Sequence, residues 1–406
     1  MIGLSIVRFE KTRAVWEDDN RRASWGRPLI RRRLSWRAEN AAERPDHLSD
    51  YVLRDVPVGI AATGMRRETH AGGSSSVRAD RYWGVSTQRS MKTGFPAAER
   101  LPERFLRCYG IAKKAAAAAN GQAGRLPLWK VDALSRAADD LIAGRLADHF
   151  PLTVWQSGSG RETDTNVNEV LANRAIQLLG GTIGSGVPID PIKDVNTGQS
   201  LAGIFTTSLH IATVIELEET LVPSATTLVR ALDRAAMSSL AQRLRSSLAR
   251  IDEAEGGLHD IVTGDDHDGL AMSERDWRTM AAGIAHETGR PFVLPQGGGG
   301  DSGSLDAVVA AMAAVRGLAV ALLDITEPHG RAGPDRVSAS RASLEAMSMV
   351  CINVMGLDLT VAIAGSRGNR GPRALRPIIV LSVLNAIRTV GQACVAIRRI
   401  IAPARR

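Results

Sequence analysis

From Leu101 onward the apolar positions recur every three to five residues. Leu106, Ile111, Ala115 and Ala118 predict one helix, and Val131 to Leu146 predicts a second. Gly180, Gly181, Gly184 and Gly186 mark a turn-rich break. Leu228, Leu232, Ala236, Leu240, Leu244, Leu248 and Ile251 then line one face of a long helix presented to partner helices. A further stretch from Ser343 sets Leu344, Met347, Val350, Cys351 and Val354 on one side, and another covers Pro377 to Ile387. Alternation of period two is scarce. The pattern predicts a mainly α fold built on a long central helix bundle.

Other segments do not fit that rhythm. Residues 1–64 carry the arginine clusters Arg21–Arg22 and Arg31–Arg33 with aromatics of no clear periodicity. They are expected to form an unstructured extension, with Met65 as an alternative start. The apolar run at the N-terminus is too short for a signal peptide, and Glu10, Glu17, Asp18 and Asp19 spoil a transit peptide. The run Gly297–Gly300 is expected to be a connector. No strand precedes it and no lysine–hydroxyl pair follows, so it is not a phosphate loop. Val308 to Ile325 is the best candidate for a membrane span, but Arg316 interrupts it, and it reads as a buried helix.

Composition narrows the function classes. The 406 residues are 44% hydrophobic, enough for a sizeable core and too apolar for general disorder. Cys108, Cys351 and Cys394 are far apart, which argues against a disulfide framework, a zinc site or a cysteine-held cluster, and suits the cytoplasm. The net charge of +8 is matched by the segment from Met347, where nine arginines accompany the single acid Asp358. Those arginines lie on a Gly-rich loop and an apolar tail with no base-reading motif, so no nucleic-acid partner is expected.

Four polar segments could carry chemistry. In Trp155–Val170, small residues allow close approach of a ligand. Ser159, Thr163, Asn166 and Asn168 supply neutral donors suited to carboxylate oxygens, although taken alone the segment reads as a loop capping the next helix. Asp194–Ser200 precedes the helix carrying His210 and reads as its N-cap. Gly264–Gly269 sets His267 among Asp265, Asp266 and Asp268, but no second histidine or cysteine stands at ligand spacing, so no metal is expected there. Glu327–Ser343 reads as a loop leading to a helix that starts near Leu344, with Glu345 favoured by the helix dipole in its first turn.

Taken together these blocks resemble one family. Arg81–Ser90 is similar to an opening "WGAQTQRS", and Asp148–Gly181 to the corresponding block of class II fumarate hydratases. Val195–Ser200, Glu345–Val350, Val354–Asn369 and Arg376–Pro377 follow in the same order. The likeness runs from about Glu68 to Val390. Trp155–Gln156 ahead of the Ser-Gly-Ser-Gly turn favours fumarase over the related aspartate ammonia-lyase. The resemblance implies reversible anti addition of water to fumarate, giving L-malate in the tricarboxylic acid cycle, with no metal or organic cofactor. A base removes the proton next to a carboxylate while positioned donors hold the resulting dianion. It also implies a small dicarboxylate as partner, a homotetramer with sites shared between subunits, and His267 with Glu345 as the pair on the acid side.

The same resemblance exposes departures at the reacting positions. In the loop Glu327–Ala339, the base serine position falls on Gly330, followed by Arg331. The lysine position is Arg336, then Val337, and the asparagine position is Ser338. Beside Ser159 and Gly160, a ligand threonine is replaced by Arg161. After Gln199 the substrate side reads Ser200, Leu201, Ala202, and Asp266 stands before His267 where a threonine is expected. The secondary anion site reads Asp190, Pro191, Ile192, Lys193. Segments are missing between Trp277 and Ile284 and between Ile325 and Glu327. The expected layout is therefore an extension 1–64, an N-terminal helical domain 65–197, a shortened central bundle 198–390, and a remnant 391–406. Three readings remain open: a fumarate hydratase, a catalytically dead relic or co-assembling subunit, and another lyase with anions bound by Arg161 and Arg336.

Overall fold

The computed structural model describes residues 52–70, 73–263, 272–296, 305–326, 337–367 and 374–401, without the side chains of 70, 325, 326 and 337–341. Residues 1–51 and the Gly297–Gly300 connector lie outside the described residues. A two-stranded antiparallel hairpin, β1 (Met65–His70) and β2 (Gly73–Arg78), opens the fold. Helices follow: α1 (Val85–Thr93), α2 (Glu103–Gln122), α3 (Leu128–Ile142), α4 (Arg161–Leu178) and α5 (Leu201–Glu216). A π-helical turn, Leu217–Leu221, joins α5 to α6 (Val222–Arg234), and α7 is Ser238–Glu255. Then come α8 (Glu274–Thr288), α9 (Asp306–Thr326), α10 (Val337–Ser366) and α11 (Arg376–Ile401). The mainly α bundle expected from periodicity is the architecture observed.

The core follows from apolar stripes meeting each other. The alanine-rich stretch of α2 is a strong helix former. Its Phe105, Tyr109, Ala112 and Ala116 are fully buried where α2 packs on α3, α5 and α8. In α11, Ile379, Val383, Ala386 and Val390 are buried against α5, α6 and α10. Ser273 and Asp276 close a capping box at the start of α8, and Gly289 ends it at φ 68°.

Three expectations need correction. The stripe from Leu228 to Ile251 is two helices, not one. Ala236 takes φ 59°, and Met237 N–H donates to Leu232 C=O at 2.9 Å, so α7 reverses and packs on α6. Alanine favours helix, so periodicity carries no warning of the reversal. Secondly, residues 52–64 are tied down rather than unstructured. Arg54 N–H donates to Leu178 C=O at 2.7 Å, and Arg174 reaches the carbonyls of Val56 and Pro57 at 2.8 and 3.2 Å. Thirdly, α11 runs unbroken past Gly391, so the 390/391 boundary falls inside a helix whose Ala393, Cys394 and Ile397 belong to the common core.

Among the described residues, four helical stretches could by length and composition cross a membrane, 201–234, 306–324, 342–366 and 376–401, where the sequence offered one candidate run. In the first, 83% of the apolar window is buried within the fold; in the third, on α10, 22% is.

Two buried histidines give the fold a pH dependence. His149 Nδ1 accepts from Tyr82 N–H at 3.0 Å, and His210 Nδ1 meets the Asp260 carbonyl at 2.9 Å. Burial above all lowers each imidazole to about 4. Between that value and about 6.5 the unfolded chain binds more protons than the folded one, so stability falls as pH drops through this window. Each histidine is expected to contribute up to roughly 3 kcal/mol to the loss. Urea midpoints at neutral pH and near pH 5 check this in wild type and in His149→Gln, which should lose less.

Candidate active site

The Ser-Gly-Ser-Gly turn is positioned by its glycines. Gly160 sits at φ 76° at the N-terminus of α4, and a Cβ there would lie 2.4 Å from the Phe205 ring in the first turns of α5. A Cβ on Gly158 would meet the Ala374 carbonyl at 1.9 Å. The helix starts of α4 and α5 therefore converge with the start of α11. At Gly203 the α5 backbone touches Val262 and Thr263, where a Cβ would be 2.8 Å from the Val262 carbonyl. That contact brings in the strand of chain leading toward His267. Gly160→Ala meets both a left-handed backbone and the Phe205 ring, and is expected to cost about 1–3 kcal/mol. A lowered urea midpoint would show it.

Arg376 locks the turn, a role not read from the sequence. It is 2% exposed; its backbone N–H donates to Gly158 C=O at 2.9 Å and its Nη1 to Ser159 C=O at 2.7 Å. Burial pulls its guanidinium down to about 10. Beneath the turn lies a buried polar cluster that was also missed. Lys113 Nζ is 3.1 Å from Asp164 and donates to Asn196 Oδ1 at 2.8 Å, while Tyr109 O–H donates to Asp164 at 2.8 Å. Burial lowers the lysine and raises the phenol, with Asp164 opposing the first and adding to the second. A lysine on the buried face of an alanine helix was the available signal.

Several donors expected to face a ligand are engaged by the chain itself. Thr163 donates its N–H and O–H to Gln156 Oε1 at 3.0 and 2.8 Å. Asn166, 1% exposed, donates to the His149 carbonyl at 3.1 Å, and Asn168 donates to Asp164 at 3.0 Å. These groups hold the backbone and one another. Glu169, one turn on, accepts from the backbone N–H groups of Gly84, Ser86 and Thr87 and from the Thr87 hydroxyl, at 2.6–3.2 Å, and so caps α1. The polar spelling of this block thus records helix caps and crossings as well as a site.

The remaining sequence-derived positions divide cleanly. Ser159 Oγ accepts from Arg161 N–H at 3.3 Å, and Arg161 itself is exposed at the first position of α4. Ser200 caps α5 by accepting from Gly203 N–H at 3.0 Å, as read from the sequence, with Leu201 and Ala202 in the first turn. At the secondary anion position, Asp190 accepts from the backbone N–H groups of Ile192 and Lys193, both at 2.8 Å. Its carboxylate takes up the N–H groups that open this turn, beside Pro191 and the exposed Lys193. Val337 and Ser338 are the first two residues of α10, so the loop reading of residues 337–343 is corrected, and Glu345 lies in the third turn rather than the first. Its carboxylate is too far along for the dipole role expected of it. Asp266, His267, Gly330, Arg331 and Arg336 lie outside the described residues.

A bundle of long helices, with polar turns gathered at helix N-termini, is the architecture of a lyase superfamily. A family model described as lyase matches residues 73–240. Two solved structures share the fold: the class II fumarase of Schistosoma mansoni and the fumarate lyase:delta crystallin of Brucella melitensis. Their TM-scores are 0.75 and 0.73 at 21% and 24% identity, over 82% of this chain and 83% and 82% of theirs.

Within that superfamily the chain belongs to the class II fumarate hydratase family. It is 38% identical to the class II fumarate hydratase of Methanosarcina acetivorans over 85% of this chain and 81% of that one. It is 35% identical to the enzyme of Thermus aquaticus, over 81% of each. The mitochondrial fumarate hydratase of Rhizopus oryzae is 34% identical, over 82% of this chain and 77% of its own length.

Proposed function

We propose that this chain keeps the dicarboxylate-binding scaffold of a fumarate hydratase but hydrates fumarate only very slowly. The observation that carries this reading is Gly330, a residue with no side chain at the position where the resemblance puts the base. The converging turns at Gly158, Gly160 and Gly203 support retention of the scaffold, since each would be lost to a single methyl group. In the intact reaction a serine oxyanion takes the malate proton, neutral and cationic donors hold the dianion, and His267 with Glu345 assists departure of the hydroxyl. Here the donors are also altered, at Arg161, Leu201, Ala202, Arg336 and Ser338. Following fumarate by ultraviolet absorbance tests the reading. Turnover comparable to that of the Thermus aquaticus enzyme would defeat it.

An exposed face of α10 supports a self-assembled state. Met349, Ile352, Leu359 and Ile363 share one face of that helix and are 66%, 60%, 60% and 55% exposed. Such an apolar stripe on a bundle helix suits packing against further copies of the same chain, and a homotetramer placed in the cytoplasm is the arrangement we infer. The same face supports co-assembly with an intact paralogue, which needs no activity from this chain. Sedimentation at low and high protein concentration separates a tetramer from a monomer, and Ile352→Glu with Leu359→Glu should shift it toward the monomer.

A further inference from the structure

A cluster of potential ligands lies where three elements meet, away from the segments read for chemistry. Glu218 is on the π-helical turn, Glu255 ends α7, and His259 closes the 3-10 turn Gly256–His259. One carboxylate oxygen from each glutamate and one imidazole nitrogen lie within 4.8 Å of one another, and all three residues are half-buried. π-Turns inside longer helices occur often at functional sites, because the extra residue redirects a side chain.

The histidine keeps a nitrogen free for a cation. Its Nε2 is sealed from solvent and has no hydrogen-bond partner. The Phe292 ring packs against the imidazole, tilted by 59° with centroids 5.3 Å apart. Glu218 and Glu255 each bring a carboxylate oxygen into this group, so two like charges lie close together. A divalent ion relieves that repulsion.

The surroundings are net acidic. Glu216, Glu219 and Asp252 flank the cluster, against the cations Arg104 and Arg290. Arg290 Nε pairs with Glu218 Oε2, an outer contact that orients the carboxylate at some electrostatic cost to a bound cation. Two carboxylates and one neutral imidazole make a three-ligand set that leaves a further position for water. Borderline-soft ions that accept nitrogen and oxygen suit it better than magnesium or calcium, which prefer oxygen alone.

We propose that Glu218, Glu255 and His259 form a binding site for one divalent transition cation of the zinc class. The spacing of Glu255 and His259, one helical turn apart, was visible in the sequence; their approach to Glu218 was not.

The test uses the purified full-length chain, freed of metal by dialysis against a chelator. Zn2+ alone is titrated by calorimetry, and Co2+ alone by visible absorbance. About one tight equivalent per chain is expected. Affinity should fall at least about tenfold in His259→Ala and in the shape-conserving Glu255→Gln. His267→Ala, which removes the other histidine set among acids, should bind as wild type does. Circular dichroism establishes that each variant is folded, and Glu255→Gln decides if His259→Ala is not. Absence of tight binding, equal affinity in wild type and Glu255→Gln, or loss of binding in His267→Ala overturns the proposal.

Discussion

Fumarate mixed with the purified chain is expected to disappear at least about a thousandfold more slowly than with an intact relative at equal site concentration, from loss of the base and of dianion donors together. Removing a positioned base costs about 10²–10⁴-fold on its own. Each lost donor to a developing oxyanion costs about 10²–10³-fold where it acts singly, though such losses do not add in full. A thousandfold deficit corresponds to about 4 kcal/mol of barrier. Arg336 retains a positive charge at the lysine position, but a planar fork does not replace a compact ammonium without moving its partners. Asp266 adds a carboxylate at a position read as facing the dicarboxylate, which raises the cost of binding. Gly330→Ser alone should recover only part of the rate, because the donors at Leu201 and Ala202 stay absent.

The second large effect concerns the fold. Asp140→Ala is expected to destabilise the chain by about 3–5 kcal/mol, read as a lowered urea midpoint at unchanged slope. Asp140 and Arg174 are each 2% exposed, and Arg174 Nε donates to Asp140 Oδ2 at 2.6 Å. Arg145 pairs with the same carboxylate. Deleting it leaves a buried guanidinium with only neutral carbonyls for company, and its charge is then uncompensated. The effect should extend to residues 52–64, since Arg174 holds Val56 and Pro57 as well. A loss below about 1 kcal/mol would mean the pair is solvated in solution. Replacing both partners by apolar residues should cost less than either single change.

How much of this was legible in the sequence depends on the kind of signal. Apolar stripes of period 3.6 revealed the bundle, and the Ser200 cap was readable because a hydroxyl precedes an apolar run. The reversal at Ala236 was not readable, because nothing in an alanine announces a positive φ. The start of α10 was misplaced for a related reason: glycines and prolines before it suggested loop as far as Ser343, whereas the helix already begins at Val337. The order of residues 52–64 depends on the guanidinium of Arg174, more than a hundred positions away, which no local pattern reports.

The site was legible in its spelling and less so in its wiring. The block around Ser159 pointed to a turn that three helix starts share, and within it Asn166 and Asn168 also bond to the chain itself. A buried amide and a ligand-binding amide have the same letters and differ only in what surrounds them. Arg376 and Lys113 were overlooked for the opposite reason. Charged residues in apolar helices read as surface, and only the fold shows them buried against the turn.

Whether anything in this chain can pull the proton from the carbon beside the malate carboxylate is open to direct observation. Incubating L-malate with the chain in deuterium oxide and following the methylene protons by nuclear magnetic resonance isolates that step from hydration. With glycine at the base position, exchange should be at least about a thousandfold slower than with an intact relative. Stereospecific deuterium incorporation at one methylene position, at a rate near that of an intact relative, would contradict the loss of the base.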